Sequence, residues 1–419
     1  MIKVFKFGGF AVSNAESVKN LVKIISFYTN EQILIIVSAM GKTTDALEKL
    51  CKAYVEASED TQEILTSIKQ FHESVMLELF ESKNHPVFDE IANTFVEIEW
   101  MLEDDPHPNY DFNYDQIVSI GEFLSSRIVA AYLNKNEINT KWVDARDFIH
   151  TDNTYREGVV DLNKTQLSMP VLKNILKTQF VVTQGFIGGT SENFSTTLGR
   201  EGSDYSAAIF ASGLQAESLT VWKDVPGIMN ADPRLFPNAQ KYDELPYSEA
   251  LEMAYYGATV IHPKTIKPLQ NANVPLYVKP FLSPEEEGTR IDSLAKLNTD
   301  IAAIIVKDNQ MLLSISTKDF SFIDEPILIY LLQCISQANI KLNMMQRSAL
   351  SLSICFNQDE GKFNKLLNIL REKFNCKYNQ ELSLLTVRHF KKENLDAICS
   401  GKTIIMEQFS RNTAQIILK

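Results

Sequence analysis

Four short stretches gather the residue types that can hold and move a phosphoryl group: KFGGFAV (6–12), VSAMGKTTD (37–45), TTLGREGSDYSAAIFA (196–211) and WKDVPGIMNADPR (222–234). In the first, Lys6 closes an apolar run and Gly8 and Gly9 follow it. A lysine there can neutralise charge on a transferring phosphoryl group while glycine amides hold its oxygens. The same residues also suit a surface lysine beside a tight turn. In the third, glycines flank Arg200, and Ser203 and Asp204 precede a run of small residues. An arginine fork suits a carboxylate and a helix start suits an anion, although a surface ion pair before a capped helix would read alike. In the fourth, Asp224, Asp232 and Arg234 stand among turn residues after a strand, where ligands meet the carboxyl edge of a sheet; an ordinary solvated turn is the other reading. The GKT of the second stretch is not a phosphate-binding P-loop, because Ile36 stands where that motif needs its first glycine. No G-x-G-x-x-G follows a strand, so a dinucleotide fold is unsupported.

These residues need elements to position them. Residues 2–7 read as a strand, and Ser13 with Glu16 matches a capping box that starts a helix over about 14–29. ILIIVSAM (33–40) is apolar throughout, as a buried parallel strand is. Residues 45–102 read as helical, 103–111 as a loop, and about 114–134 as a helix. Strands follow at KWVDA, FVVTQGF, SLTVWKDV and PLYVKPF. This alternation predicts an α/β domain over 1–292 with a mostly parallel sheet sandwiched by helices. The polar LSPEEEGTRI (282–291) ends it as a linker. From 299 to 419 the texture becomes α+β: strands DIAAIIVK and MLLSIST, a helix near 325–338, ALSLSICF, a helix near 360–374, LSLLTVRH, TIIMEQFS and TAQIILK. That region has no glycine loops, so regulation or dimerisation suits it better than chemistry.

Bulk properties narrow the classes further. At 419 residues the chain holds two or three domains. A net charge of −12 argues against nucleic acid or an anionic membrane as partner. Five scattered cysteines suggest reduced thiols, with no disulfide framework and no metal site. No run approaches the roughly 20 apolar residues of a membrane span, and the first strand begins at once, leaving no signal peptide to expect. A soluble, cytoplasmic protein is the expectation.

Together the stretches resemble the aspartate kinases of the amino-acid kinase superfamily. KFGGFAV compares with the usual KFGGTSV, and VSAMGKTTD, GEFLSSR (121–127), TQGFIG (183–188), TTLGREGSDYSAA, DVPGIMNADPR and YGATVIHPKTIKPL (256–269) follow in the family's order. The last 120 residues resemble paired ACT (ferredoxin-like) domains, possibly nested, the second short. The resemblance implies ATP-dependent phosphorylation of the L-aspartate side chain, usually with Mg²⁺ bridging the phosphates, by a monofunctional enzyme that dimerises through its ACT-like region. It implies catalytic roles for Lys6 and Asp204. Lys6, Gly8, Gly9, Ser38, Lys223, Asp224, Met229 and Arg234 would meet phosphate or ATP. Thr44, Glu122, Arg200 and Ser203 would meet the substrate, Glu122 through its amino group and Arg200 through a carboxylate.

Several positions depart from the family pattern. Phe10 and Ala11 replace a small residue and a serine, Glu201 stands where glycine is usual, and Lys223 where threonine often is. Thr259 takes the place of a lysine, whose charge Lys223 could supply. The ring of Phe10 is expected beneath its loop, against the helix that starts at Ser13, rather than in the cleft. The ACT-like region has no Pro-Gly turn in STKDFSFIDEPILIY, which predicts weak feedback by lysine or threonine. A kinase of another acidic amino acid and a non-catalytic ACT-containing relative remain alternatives on the same fold.

Overall fold

The computed structural model describes residues 1–258 and 260–419, leaving Thr259 outside the described residues, and side chains other than those of Glu393 and Asn394. It divides into two units. The first comprises Met1–Ile228, Lys241–Leu251 and Val260–Leu297; the second comprises Met229–Gln240, 252–258 and Asn298–Lys419.

In the first unit, ten strands run in chain order: β1 (Ile2–Phe7), β2 (Gln32–Val37), β3 (Thr140–Trp142), β4 (Phe180–Gln184), β5 (Ile187–Gly189), β6 (Ser195–Thr197), β7 (Ser218–Lys223), β8 (Glu244–Pro246), β9 (Leu276–Pro280) and β10 (Thr289–Asp292). Eight of them form one sheet in the order β3-β4-β2-β1-β7-β9-β10-β8, and β5 and β6 form a separate ribbon. From β3 to β9 every neighbour is parallel; β10 turns antiparallel to β9. The central strands are buried on both faces, which is why they read as unbroken apolar runs. Phe5, Phe7, Ile33, Ile35 and Val37 face one core, packed by helices including Ala15–Ser26, Thr61–Phe80 and Ile120–Lys135. Val4, Leu34 and Ile36 are buried on the other face, where helices Leu162–Leu176 and Gly202–Leu214 lie against the strands. The chain leaves β1 toward β2 on one side and returns through β7 on the other, so the carboxyl ends of these strands part there, the usual place for a ligand crevice.

Local details correct several expectations. The helix after the two glycines starts at Ala15, capped by Asn14, whose side chain accepts the Ser17 N–H, and Ser13 is not its cap. A short 3-10 turn, Gly9–Val12, intervenes, so the glycines do not run straight into the α-helix. The helix expected at 114–134 is two, Tyr110–Val118 and Ile120–Lys135, the first beginning inside the stretch read as a loop.

The second unit carries β11 (Ala303–Thr317), β12 (Leu342–Arg347), β13 (Ser351–Asn357), β14 (Phe374–Arg388), β15 (Ile404–Phe409) and β16 (Thr413–Leu418), antiparallel in the order β12-β13-β11-β14-β16-β15. The two strands expected at its start are one, β11, whose register with β14 slips between Lys307 and Gln310. Each half of the β11/β14 pair has its own core. Helices Glu325–Gln337 and Glu360–Leu370 cover Met311, Leu313 and Ile315; helix Lys392–Cys399 covers Leu385 and Val387.

Candidate active site

The site grows from the carboxyl ends of β1, β2 and β7. Lys6 lies in register with Ile36 of β2 and Val221 of β7, so the loops after these strands meet around its ammonium. The segments after β1, β2 and β4 are tied by backbone bonds: Ser38 N–H to Phe7 O at 3.1 Å, Gly41 N–H to Gly9 O at 3.1 Å and Gly185 N–H to Val37 O at 2.9 Å. Two glycines are required by close approach. A Cβ on Gly9 would stand 3.0 Å from the carbonyl oxygens of Ala39 and Gly41, and one on Gly121 would stand 2.9 Å from Ala39 Cβ. The Gly121 contact lets the start of helix Ile120–Lys135 press under the Ser38–Ala39 loop and bring Glu122 to it.

At the centre is a buried ion cluster. Asp204, in the first turn of helix Gly202–Leu214, is fully buried. Lys6 Nζ lies 2.6 Å from its Oδ1, and Lys223 Nζ lies 3.0 Å from its Oδ2. Burial alone would raise the Asp204 carboxyl, but the two ammonium groups outweigh it and hold it down to about 2. Burial works the other way on Lys223, yet Asp204 and Glu201 keep it raised. Removing one partner from such a cluster leaves an unpaired buried charge, which costs about 3–5 kcal/mol. Glu201 Oε2 lies 4.0 Å from Lys223 Nζ, and its backbone is left-handed (φ 56°). That explains why glycine suits the position: a side chain there costs about 1–2 kcal/mol.

Glu122 is the second buried carboxyl. Its Oε1 accepts the Ala39 N–H at 3.2 Å, while its Oε2 has no partner. Burial pushes it up to about 8, against the pull of Ala39 and Lys6. A buried carboxyl with an open oxygen is arranged to meet a cation.

Lys6, Gly9, Ser38, Thr44, Glu122, Arg200, Ser203 and Asp204 line one cleft of about 920 Å³. Two helix N-termini, Thr43–Val55 and Gly202–Leu214, supply residues to its wall, which favours anions. Arg200 is exposed there and makes no ion pair among the described residues. A Cβ on Gly8 would stand 3.3 Å from Lys6 Nζ, so a larger residue would crowd that ammonium. Lys223 reaches the site through Asp204, and Asp224 is exposed one residue beyond β7. Met229 and Arg234 fall in the second unit, where Arg234 is held by Asp232 at 2.7 Å.

Phe10 does not sit beneath its loop. Its side chain is 46% exposed and its ring stands edge-on to Phe281 at 6.2 Å, outside the residues lining the cleft. The following turn tucks Ala11 and Val12 inward instead, which leaves Phe10 facing out. His262 caps helix Pro263–Ala272 by accepting the Lys264 N–H, in a structural role.

Some lining residues carry no sequence signal of their own. Tyr114, Glu48, Arg156 and Phe186 border the cleft, and the Tyr114 hydroxyl is bonded to Glu48. The Asp111–Tyr114–Asp115 spacing on one helix face is the pattern that could have pointed to them.

Comparison with known proteins identifies the family. The amino acid kinase family matches residues 1–280. The aspartokinase of Chlamydia trachomatis is 32% identical over 74% of this chain and 69% of its own length. Lysine-sensitive aspartokinase 3 of Escherichia coli is 28% identical over 84% of this chain and 78% of its own. The bifunctional aspartokinase/homoserine dehydrogenase 2 of Arabidopsis thaliana is 28% identical over 89% of this chain, which spans only 42% of that longer relative. Among solved structures, E. coli aspartokinase III, determined with aspartate and ADP, superposes with a TM-score of 0.85 over 100% of this chain and 96% of that one, at 24% identity, a likeness of fold. Among the described residues, no helix is long and apolar enough to cross a membrane. The chain belongs to the amino acid kinase family, on its aspartokinase branch.

Proposed function

We propose that the protein is an aspartate kinase, transferring the γ-phosphoryl group of ATP to the side-chain carboxylate of L-aspartate to give 4-phospho-L-aspartate. This is the entry step to the lysine, threonine and methionine family of amino acids. The observation that carries the reading is the Lys6–Asp204–Lys223 cluster at the meeting of β1 and β7, facing the open carboxyl of Glu122 across one cleft. The relatives' names, and the aspartate and ADP in the E. coli enzyme, support the same substrates here.

An aspartate carboxylate is already a nucleophile at neutral pH, so the protein has only to position it and stabilise charge. Glu122 takes the substrate ammonium and Arg200 its α-carboxylate, with Ser38, Thr44 and Ser203 beside them. The side-chain oxygen then bonds to the γ-phosphorus as the bond to the β-phosphate oxygen breaks and ADP departs. Lys6, held in place by Asp204, meets the charge on the transferring group, aided by the amides of Gly8 and Gly9. Lys223 and Asp224 stand on the nucleotide side. Mg²⁺ supplies charge neutralisation on the phosphates. Among the described residues no group of three or more His, Cys, Asp or Glu side chains could cage a metal, a donor set that fits an ion carried by the nucleotide. The second unit is assigned to dimerisation and regulation through ACT-like halves, and the cytoplasm is the proposed compartment.

A coupled ADP-release assay over a panel of acidic amino acids tests the reading. Release dependent on L-aspartate is expected. Release dependent on another acid, or none with any, overturns it.

A further inference from the structure

Helix Tyr110–Val118 is built around an arginine from a distant loop. Asp111, Tyr114 and Asp115 share one helix face, and each holds a different part of Arg156. The Asp111 carboxylate lies 3.5 Å from the guanidinium, and the Tyr114 ring stacks 4.2 Å from it. Asp115 Oδ2 accepts the Arg156 backbone N–H at 2.9 Å. Arg156 needs that anchor, because its backbone is left-handed (φ 65°), a region that residues with a Cβ avoid unless their surroundings impose it.

Asp115 does more than hold one amide. It is fully buried, and it also accepts the Thr197 N–H at 2.9 Å and the Thr197 hydroxyl at 2.7 Å. Gly158 donates its N–H to Thr197 O at 2.9 Å. A Cβ on Gly199 would stand 3.4 Å from Arg156 O, so the Arg156 loop packs directly on the turn that leads into Arg200. One buried carboxylate thus ties the Arg156 loop to the segment that leads into Arg200, and both arginines line the cleft with Glu122.

We propose that Arg156 is a specificity-determining residue that meets the anionic acceptor at this end of the cleft, and that Asp115 is its positioning residue. Lys6 and Lys223 are committed to Asp204, which leaves the two guanidinium groups, with the exposed Lys42 at the cleft wall, to receive an incoming dicarboxylate. Of these, only the guanidinium groups offer a fork to a carboxylate. The Asp111–Arg156 pair is half exposed on both sides, and such pairs hold weakly. A ligand carboxylate can replace Asp111 while the Tyr114 ring and the Asp115 anchor keep the guanidinium aimed. The inference rests on the aspartate-kinase reading and adds a second carboxylate contact to it.

The test compares the full-length protein with Arg156→Ala, Arg156→Lys and Thr197→Val, the last removing one of the bonds to Asp115 with little change of shape. L-Aspartate is titrated by calorimetry without nucleotide, and KM for aspartate and for ATP is measured separately. Arg156→Ala is expected to weaken aspartate about tenfold to a hundredfold, the range for a lost charged hydrogen bond, without raising KM for ATP. Arg156→Lys should recover part of the loss, since it restores charge but not the fork. Thr197→Val should weaken aspartate several-fold, again without moving KM for ATP. A folded Arg156→Ala that binds aspartate as the unmodified protein does overturns the inference alone. If the unmodified protein binds no aspartate, the proposed function falls and takes the inference with it. Equal losses for aspartate and ATP would show only a structural role for the loop and also overturn the inference.

Discussion

Glu122 offers the sharpest test of how the substrate is held. Its carboxyl is buried, has one oxygen without a partner, and is pushed by burial up to about 8. The ammonium of aspartate needs the ionised form, so binding must expel a proton wherever Glu122 is still protonated. The apparent dissociation constant then exceeds the intrinsic one by the inverse of the ionised fraction: roughly a hundredfold at pH 6, tenfold at pH 7 and twofold at pH 8. Calorimetric titration of aspartate from pH 6 to 9, in buffers of different ionisation enthalpy, should show affinity rising about tenfold from pH 6 to 7, about fivefold from pH 7 to 8, and levelling above that. Roughly 0.9 proton should be released per site at pH 7. Glu122→Gln should abolish both the slope and the release, and should bind far more weakly than the unmodified protein only at high pH. Stability supplies an independent check with a definite sign. The folded carboxyl is raised above its ordinary value of 4.5, so between about pH 4.5 and 8 the folded state binds more protons than the unfolded one. The stability contributed by Glu122 is complete below pH 4.5 and is lost as pH rises through 8. Without aspartate, the melting temperature should fall across that window more steeply than in Glu122→Gln. An aspartate affinity that is flat from pH 6 to 8.5, or proton uptake on binding, would refute the reasoning.

Other expectations are as direct. Arg200→Ala, which removes an unpaired guanidinium from the cleft wall, should lower kcat/KM for aspartate about a hundredfold, from roughly 2–4 kcal/mol of charged contact, with the melting temperature unchanged; near-normal kinetics in the folded variant would exclude Arg200 from the site. Phe10→Thr with Ala11→Ser should raise kcat by no more than about tenfold to a hundredfold, since it regains one or two hydroxyl contacts. Loss of the half-exposed ring should cost less than the roughly 1.5–3 kcal/mol of a buried one; activity that appears only in the double variant would mean the ring does obstruct the site. Analytical ultracentrifugation should show a homodimer that is lost when the β12 edge is disrupted with Met345→Pro, because an exposed edge strand is a natural pairing surface; a monomer in the unmodified protein would rule that out. Lysine and threonine should inhibit weakly, and strong inhibition by either below millimolar concentration would contradict the importance given to the missing Pro-Gly turn.

Much of this was legible residue by residue. Lys6, Gly8 and Gly9 follow an apolar run, and Arg200, Ser203 and Asp204 stand before a run of small residues. Such patterns report local backbone chemistry: where a strand ends, where a helix begins and which residues leave room for a ligand. The apolar runs of β1, β2 and β4 marked a sheet buried on both faces for the same local reason. Boundaries were less legible, because competing local choices are close in energy. Ser13 and Asn14 are both good caps, and the 3-10 turn that tucks in Ala11 and Val12 chose Asn14 and turned Phe10 outward. In the second unit, a register slip within β11 keeps one strand continuous where the pattern read as two.

What the sequence by itself determined was the set of chemical groups and their order along the chain: a phosphate-suited lysine and glycine loop, an arginine turn, and an α/β frame to carry them. Only the tertiary structure decided their partnerships. Lys6, Asp204 and Lys223 are far apart in sequence, and they form one ion-paired cluster because β1 and β7 are neighbours and helix Gly202–Leu214 packs against both. The Glu122 carboxyl is raised because the fold buries it beside the Ser38–Ala39 loop, and Arg156 entered the cleft because a helix face 41 residues away anchors its amide. Burial and long-range proximity set charge state and aim, and neither is written in any local stretch of residues.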